Sequence, residues 1–253
     1  MIREKRLNEI MRLLKEKGHI NIKTICDKLK ISEVTARRDL RFLESQGLIE
    51  RKRGGATLKN FSIDVPFFFK LESMKKEKKK IAQKVVSLLE NGQVVAMSGG
   101  TTIFYAVQEL NNSPIHDLTI ITNSITTAWA VINLGKSFKL IHSGGTVRED
   151  SFECAGGYTV NFFQNLKVDI FLLGVNGIDL RNGVTFYNFE EAVIAKKILE
   201  NSSKLVVLAD SSKIGLSFPY KICDLSGIDI LVTDELTNEL SQSLKNAGVR
   251  EIL

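Results

Sequence analysis

The 253-residue chain contains few of the side chains that build disulfide frameworks or metal sites. It has only three cysteines and three histidines, and neither set is clustered. Their positions are Cys26, Cys154, Cys223, His19, His116 and His142. The odd number and wide spacing of the cysteines exclude a disulfide scaffold and the paired spacing of a zinc finger, so we expect reduced, buried thiols. We expect neither a metal nor another cofactor.

Long apolar runs are also absent. No segment approaches the roughly 20 consecutive apolar residues that a membrane-spanning helix needs. The first residues alternate charged and apolar side chains, which is not the pattern of a signal peptide. We therefore expect a cytoplasmic protein with no membrane partner. The composition, 43% hydrophobic and 25% charged, is that of a globular protein with enough length for more than one domain.

Positive charge is concentrated at one end of the chain. Residues 1–60 contain 16 lysines and arginines against 8 aspartates and glutamates, whereas the other residues contain 19 against 21. The net charge of +6 therefore comes from the first quarter of the sequence. Such a segment is either a module that binds a polyanion or a solubilising surface, and composition alone does not choose between them.

The basic segment carries the apolar spacing of three short helices. The first is predicted over residues 2–17. The second begins at Asn21, a suitable N-cap, and ends at Leu29 before a tight turn. The third begins after Ser32, whose hydroxyl can accept hydrogen bonds from the first-turn N–H groups, and ends at Gly47.

The third predicted helix separates an apolar face from a basic one. Ala36, Leu40 and Leu43 recur at helical intervals and should face the core. The side chains that then project outward are Thr35, Arg37, Arg38 and Arg41. A helix fits the major groove of B-DNA, where arginine binds guanine bidentately or contacts a phosphate. We expect Asp39 to orient an arginine or nearby backbone instead, because phosphates repel a carboxylate.

The segment LIERKRGGATL predicts two short strands around a turn, which is the wing of a winged helix-turn-helix domain. Its basic residues, expected to contact the DNA backbone beside the groove, are Arg51, Lys52 and Arg53. Gly54 and Gly55 permit a positive φ or a close approach of two backbones. The alternative is a generic helical hairpin with charged faces.

These residues resemble the signature of the DeoR family of bacterial transcriptional regulators. The resemblance covers about 55 continuous residues, and its elements are Arg6, Ile10 and Leu14, then Ser32-x2-Thr35-Ala36-Arg37-Arg38-Asp39-Leu40, then LESQGLIERKRGGA. Arg53 stands where many members have histidine. The resemblance implies a domain that binds double-stranded operator DNA through Ser32 and the outward basic residues named above.

Two domains and a linker are predicted: a DNA-binding domain at 1–57, a linker at 58–75, and an effector-binding and oligomerisation domain at 76–253. In the linker, a proline and three phenylalanines favour an extended segment from Ser62 to Phe69. The lysine-rich stretch 75–80 begins a helix and is interpreted as a solvated face, with an auxiliary phosphate contact as the alternative.

After Gly92, short runs rich in Val, Ile, Leu and Phe alternate with helical stretches. The runs are QVVAM, LTIIT, FKLIH, VDIFLLGV, KLVVLAD and IDILVTD. Near-continuous apolar strands separated by helices predict an α/β domain with a doubly wound, mostly parallel sheet covered on both faces. Ligands bind such sheets at the carboxyl ends of the strands.

Four strand ends, here called corners, carry glycine and hydroxyl residues suited to bind an anion. The first is Ser98, Gly99, Gly100, Thr101 and Thr102; the second is Thr122, Asn123 and Ser124; the third is Ser143 to Thr146 with Gly145, followed by Arg148; the fourth is Asp210 to Lys213. None is a P-loop or a dinucleotide motif, which favours a small phosphorylated ligand. One corner alone is typical of a capped turn, whereas four indicate a pocket.

Residues 76–253 are similar to the sensor domain of the DeoR family, whose fold is similar to that of phosphosugar isomerases. The matching stretches are SGGTT, TNS, Gly144-Gly145, GVNGID ending at Asp179, EEA at 190–192 and DSSK ending at Lys213. Met97 replaces an aspartate that many members have before the first serine. The resemblance implies that the corner residues, Arg148, Asp179 and Lys213 bind a phosphorylated sugar.

The leading hypothesis is a repressor of a carbohydrate-metabolism operon, released from its operator by a sugar phosphate and working as a homo-oligomer, a dimer or tetramer. We do not expect an enzyme. One alternative is a sugar-phosphate isomerase, whose candidate acids and bases are Asp179, Glu190, Glu191, Asp210 and Lys213. The other is a sequence-independent DNA binder without a ligand.

Overall fold

The structure, a computed structural model, describes residues 3–45, 48–58 and 67–253. The chain divides into two compact units, residues 1–73 and 74–253. The predicted helix end at Gly47 and the predicted extended segment as far as Pro66 lie outside the described residues. In the part of the chain that is described, no helix is long and apolar enough to cross a membrane.

The first unit contains three helices, a small antiparallel sheet and a short fourth helix. Its elements are α1 (Arg3–Lys17), β1 (His19–Asn21), α2 (Ile22–Leu29), α3 (Glu33–Ser45), β2 (Ile49–Lys52), β3 (Gly55–Leu58) and α4 (Phe67–Leu71). Strands β2 and β3 form the predicted wing, and β1 pairs with β3 in the order β1-β3-β2. The winged helix-turn-helix prediction is confirmed, although the three-residue β1 was missed because it is too short to show a period.

The predicted caps of the second and third helices are present. Asn21 Oδ1 accepts a hydrogen bond from Thr24 N at 2.7 Å, and Ser32 Oγ accepts one from Thr35 N at 3.3 Å. Between them Lys30 adopts a left-handed φ of 53°, which turns the chain from α2 into α3. The side chains that close the core beneath these helices are Ile10, Leu13, Leu14, Ile20, Ile25, Leu40, Leu43 and Ile49.

The extended conformation predicted up to Phe69 is wrong for the residues that are described. Residues 67–71 form α4, in which the Phe67 side chain is buried and that of Phe68 is exposed. A proline restricts the residue before it rather than those after it, so a helix can begin directly behind the Pro66 position.

The second unit is built around a central sheet. Its elements are α5 (Lys75–Val86), β4 (Gln93–Met97), α6 (Thr101–Glu109), β5 (Leu118–Thr122), α7 (Ile125–Ile132), β6 (Lys139–His142), β7 (Thr146–Val147), β8 (Cys154–Ala155), α8 (Gly157–Phe163), β9 (Val168–Gly174), β10 (Gly177–Asp179), β11 (Gly183–Phe186), α9 (Phe189–Glu200), β12 (Ser202–Leu208), β13 (Tyr220–Cys223), β14 (Ile230–Val232), α10 (Asn238–Asn246) and β15 (Glu251–Ile252).

Seven strands form the central sheet in the order β15-β14-β12-β9-β4-β5-β6, and every neighbouring pair is parallel. The six predicted strands are all present, which confirms the parallel-sheet prediction. Consecutive residues Phe171, Leu172 and Leu173 are all buried, so both faces of the sheet are covered. The missed strands are short ones: β15, the β7–β8 hairpin and the β10-β11-β13 sheet.

The direction of strand addition reverses beside β4. The chain passes outward from β4 to β5 and β6, then returns to β9 on the other side of β4 and continues to β12, β14 and β15. A reversal of this kind leaves a crevice at the carboxyl ends of the two strands that flank it. The first corner lies there, directly after β4.

The lysine-rich stretch does begin a helix, but its face is not uniformly solvated. Lys78 is 4% exposed, and it lies on the same side of α5 as the buried Ile81 and Val85. Spacings of three and seven residues place these side chains on one helical face, where the apolar stem of a lysine can pack.

Candidate functional site

Helix α3 presents the basic face that the sequence predicts. Ala36, Leu40 and Leu43 are buried, whereas Arg37, Arg38 and Arg41 are exposed. Thr35 is half-buried, and its hydroxyl lies 2.9 Å from that of Ser32. The start of α3 therefore carries paired hydroxyl groups beside a row of guanidinium groups.

The three outward arginines differ in what they contact. Arg37 Nη2 donates to Glu33 Oε1 at 2.5 Å, one turn earlier on α3. Arg41 Nε lies 3.4 Å from the carbonyl oxygen of Arg37. Arg38, in contrast, has no hydrogen bond or ion pair with any described residue. Arg38 can bind DNA without first breaking an internal contact.

Asp39 does not share the exposed face with these arginines. It is fully buried and accepts hydrogen bonds from Arg6 Nε and, at 3.1 Å, from Arg6 Nη2. The hydrogen bond with Asp39 raises the pKa of Arg6, against the opposing effect of burial. The expectation that Asp39 orients an arginine is correct, but the arginine comes from α1. The signal in the sequence was Arg6 itself, a cation on the apolar stripe of the first helix.

The wing displays its basic side chains to solvent. Arg51 Nη1 lies 3.5 Å from Glu44 Oε2, and Lys52 Nζ lies 2.5 Å from Glu50 Oε1. Arg53 is exposed at the turn, with no described partner. These contacts are surface pairs, which water screens strongly, so DNA phosphates can replace them.

Each glycine of the wing turn has its own reason to lack a side chain. Gly54 adopts a φ of +82°, which favours glycine. At Gly55 a Cβ atom would lie 2.2 Å from the carbonyl oxygen of Ile20, so β3 can pair with β1 only if this residue is glycine.

The first three corners lie together because they follow the neighbouring strands β4, β5 and β6. Thr127 Oγ1 donates to the carbonyl oxygen of Ser98 at 3.0 Å and ties α7 to the first corner. Ser143 N donates to Thr122 O at 3.0 Å and ties the third corner to the second. Ser98 Oγ also accepts from Gly174 N at 3.0 Å, at the end of β9.

The first two corners present different helix N-termini. Gly100 precedes α6 with a φ of +96° and has no side chain with which to cap the helix. Ser124 precedes α7, and its Oγ accepts from Thr127 N at 3.2 Å. Since a helix N-terminus attracts anions, the uncapped start of α6, with buried Thr101 and half-buried Thr102, is the better candidate for an anion.

Glu153, which the sequence analysis missed, lies between the first and second corners. Its Oε2 accepts from Asn123 Nδ2 at 3.3 Å, and a Cβ atom on Gly99 would lie 2.4 Å from its Oε1. It is 9% exposed. Burial and, secondarily, the Glu153 carboxylate raise the pKa of the neighbouring Cys154 thiol. Of the three free cysteines, Cys154 is buried as expected, whereas Cys26 and Cys223 are only partly buried.

The third corner is held by tight backbone packing. Gly145 has a φ of +120°, and a Cβ atom there would lie 2.1 Å from Thr159 Oγ1. Thr159 Oγ1 donates to Gly144 O at 2.8 Å, and Gly144 N donates to His142 Nδ1 at 3.0 Å. Burial lowers the pKa of His142, which favours the neutral imidazole that this bond requires.

Arg148 extends from the third corner toward α9 rather than standing unpaired in the site. Its Nε donates to Glu191 Oε1 at 3.0 Å, and its Nη1 lies 3.8 Å from Glu190 Oε2. Glu191 is 5% exposed, so this is a largely buried ion pair. An anionic ligand would have to compete with Glu191 for Arg148.

The fourth corner follows β12, which is separated from β4 by β9. Ser211 N donates to Asp234 Oδ1 at 2.7 Å, beyond the end of β14, and Asp210 caps the short turn that ends at Lys213. Asp179 Oδ1 accepts from the N–H groups of Arg181 and Asn182. A cavity of about 430 Å³ adjoins this group; its lining residues are Ile178, Asp179, Leu180, Arg181, Asn182, Ile214, Gly215, Leu240 and Leu244.

Comparison with known proteins gives matches along the whole chain. A sequence model of the DeoR C-terminal sensor domain matches residues 73–235, and one of the DeoR-like helix-turn-helix domain matches residues 6–61. The HTH-type transcriptional repressor GlcR of Bacillus subtilis is 32% identical over 100% of this chain and 96% of its own. The glycerol-3-phosphate regulon repressor of Escherichia coli is 30% identical over 92% of each.

Among solved structures, ribose 5-phosphate isomerase from Plasmodium falciparum is 22% identical with a TM-score of 0.40. That match covers 54% of this chain and 52% of the isomerase, so the chain spans about half the length of that enzyme. The sensor-domain match extends over more than half of the chain and follows a helix-turn-helix match in the basic unit. The chain therefore belongs to the DeoR family and is a DNA-binding transcriptional regulator.

Proposed function

We propose that this protein represses a carbohydrate-metabolism operon and that a phosphorylated sugar releases it from the operator. The observation that carries the proposal is the presence in one chain of a basic winged helix-turn-helix unit and a parallel-sheet unit in which three corners rich in glycine and hydroxyl residues adjoin one another. Residues 1–57 would bind DNA, 58–75 would connect, and 76–253 would bind the effector and form the oligomer.

On the DNA side, α3 is assigned to the major groove. Its arginines are close enough to its N-terminus to contact base edges. The wing follows α3 in the same unit and carries the basic side chains that would contact the DNA backbone. The residues assigned to DNA are Ser32, Thr35, Arg37, Arg38, Arg41, Arg51, Lys52 and Arg53. The exposure of the six basic members of this set supports the assignment.

On the effector side, the first three corners are assigned to the ligand. The uncapped N-terminus of α6 suits the phosphate group, while the second and third corners surround the rest. Asp179 and Lys213 are assigned by the family's motifs rather than by the contacts above, which place them with the fourth corner. Two relatives are named as repressors, and one of them is the repressor of a glycerol-3-phosphate regulon. These names support a small phosphorylated ligand.

Repression rather than isomerisation is supported by what three of the five candidate acids and bases contact. Glu191 is paired with Arg148, Asp210 caps a turn, and Asp179 accepts two backbone N–H groups. Groups held in this way are poorly placed to exchange protons with a substrate. Incubation of aldose and ketose phosphates with micromolar protein should show no turnover, and steady conversion would favour the isomerase.

A homo-oligomer, a dimer or tetramer, is proposed because one winged helix offers a small contact area. Two linked copies that bind two half-sites gain effective concentration over one. The effector would act by binding more tightly to a state of the oligomer that has low affinity for DNA, since only differential affinity shifts such an equilibrium.

The test is operator binding in the presence of phosphorylated sugars. Labelled DNA from the promoter region beside the gene is titrated at fixed salt, with glucose 6-phosphate, fructose 6-phosphate, ribose 5-phosphate and glycerol 3-phosphate added in turn. One of these should weaken binding by at least about tenfold, the size of typical allosteric coupling. A panel with no effect on the affinity for that DNA would contradict the proposal.

A further inference from the structure

Asn123 and Glu153 place two hydrogen-bond acceptors at the junction of the first and second corners. Asn123 is 1% exposed and directly follows β5. Glu153 reaches the same point from the β7–β8 connection, where it forms an isolated bridge with Ser124. The Glu153 carboxylate thus contacts Gly99 of the first corner and Asn123 of the second at once.

The orientation of the Asn123 amide follows from its neighbours. Its Nδ2 lies 3.3 Å from Glu153 Oε2 and 3.0 Å from Cys154 O, and both of these are acceptors. The nitrogen must therefore face them, which leaves Oδ1 on the other side. This Oδ1 is buried and accepts no hydrogen bond from the described residues. A buried acceptor in that position favours a ligand that brings a donor.

Hydrogen-bond donors and acceptors lie in different parts of the site. A phosphate needs donors, which the backbone N–H groups at Gly100 and the start of α6 supply. The Asn123 amide oxygen accepts no hydrogen bond from the described residues and needs a donor from the ligand. The adjacent Glu153 carboxylate can accept further hydrogen bonds, and it repels a phosphate. Hydroxyl groups are the neutral donors that a sugar carries beside its phosphate. Met97, the last residue of β4, is buried and apolar and adds no acceptor to this point.

We propose that Glu153 and Asn123 form the part of the effector site that recognises hydroxyl groups. This inference rests on the proposed function, because it assumes a phosphorylated ligand at the first two corners. It adds that Glu153, outside every motif recognised in the sequence, determines selectivity for hydroxylated over plain phosphate esters.

The only tryptophan provides the readout. Trp129 lies on α7 and stacks on Phe104 of α6 with ring centroids 6.3 Å apart. Both helices begin at the corners in question, so ligand binding should change its fluorescence. The full-length protein is titrated with the four phosphate esters named above, with methyl phosphate, which has no alcohol hydroxyl group, and with inorganic phosphate.

We expect the wild-type protein to bind one sugar phosphate at least tenfold more tightly than methyl phosphate. Glu153→Gln should lower the affinity for that sugar phosphate at least tenfold without lowering the affinity for inorganic phosphate. Glu149→Gln makes the same change at an exposed position of the same connection and should leave all affinities unchanged. Circular dichroism melts confirm that each variant is folded.

Three results would overturn the inference. The first is that the wild-type protein binds methyl phosphate as tightly as every sugar phosphate, a comparison that needs no variant. The second is that Glu153→Gln retains the full preference for the sugar phosphate over methyl phosphate. The third is that Glu153→Gln binds every phosphate more tightly by the same factor, which would show that Glu153 only repels anions. If a sugar phosphate still releases DNA in any of these cases, the proposed function stands; if no sugar phosphate binds at all, both proposals fail.

Discussion

Arg6 and Asp39 carry opposite charges into the core of the first unit. The side chain of Arg6 is 8% exposed and that of Asp39 is fully buried, so neither charge is hydrated in the folded state. Their attraction and paired hydrogen bonds offset the loss of hydration. Among the described residues, removing Arg6 leaves the buried Asp39 with only the half-exposed Arg3, whose Nε lies 3.9 Å from Asp39 Oδ1. The pair joins α1 to α3, the helix assigned to the major groove.

Arg6→Ala should lower the free energy of unfolding of the first unit by as much as about 3–5 kcal/mol, because the buried Asp39 would lose both hydrogen bonds to Arg6 and keep only the more distant, half-exposed Arg3 as a described partner. Chemical denaturation followed by far-UV circular dichroism, with hydrogen exchange of α1–α3 amides, measures this. Arg12→Ala serves as the control, since Arg12 pairs with Glu9 on an exposed surface and should cost less than about 1 kcal/mol. Equal losses in both variants would refute the importance of the buried pair.

Arg38→Ala should weaken binding to the operator by about 1–3 kcal/mol with little change in stability, because its exposed side chain has no described partner to lose. Arg37→Ala should weaken operator binding less than Arg38→Ala does, because Arg37 must break its ion pair with Glu33 before it can bind DNA. Fluorescence anisotropy with operator and scrambled DNA measures both, and Lys204→Ala, exposed on β12, is the control. An equal loss on scrambled DNA would show that Arg38 contacts the backbone and not the bases.

At the scale of elements, the wing is a β2–β3 hairpin whose strand β3 also pairs with β1. Strand β3 lies between β2 and β1, and the close approach of Gly55 to Ile20 anchors it to the segment between α1 and α2. The basic turn is therefore carried on a three-stranded sheet rather than on a free loop. A turn that is fixed by sheet pairing suits contacts with the DNA backbone, which position the protein without distinguishing bases.

Lys52→Ala should weaken binding to operator and unrelated DNA by similar factors, because a phosphate contact carries no sequence information. The slope of log affinity against log salt concentration should fall by about 1. Titrations at several salt concentrations measure it, with Lys139→Ala, exposed on β6 of the second unit, as the control. A change in base preference would show that the wing enters a groove.

For the whole molecule, DNA binding and ligand sensing are assigned to two separate units of one chain. A regulator of this kind responds only if ligand binding favours a state with altered DNA affinity. Loss of the ligand site should therefore leave repression intact and make it permanent. Loss of the fold would abolish both activities, which distinguishes sensing from stability.

Thr101→Val should preserve operator binding and abolish release by the sugar phosphate, because it removes a hydroxyl from the first turn of α6 with little change in shape. The measurement is DNA affinity with and without the effector. Thr119→Val makes the same change on β5, before the strand end, and should respond normally. Loss of DNA binding in Thr101→Val would mean that this residue supports the fold rather than the sensor.

Short-range patterns in the sequence predicted α1–α3, α5–α7 and α9, the caps at Asn21 and Ser32, the wing and six strands of the parallel sheet. The hydroxyl of Ser32 and the amide of Asn21 act on residues three positions away, and apolar periods repeat within one or two turns. Such features depend on neighbours along the chain, so they can be recognised without the fold. The family resemblance likewise rested on residues close together in sequence.

Only the tertiary structure decided which distant residues meet. Asp39 lies 33 positions from Arg6, and Glu153 lies 30 positions from Asn123 in a connection without periodicity. Strand order, which local pattern does not encode, brought the first three corners to adjacent strands and grouped the fourth with the end of β14. Charges and hydrogen bonds act through space, and the neighbours of a buried side chain are therefore set by how the strands and helices assemble.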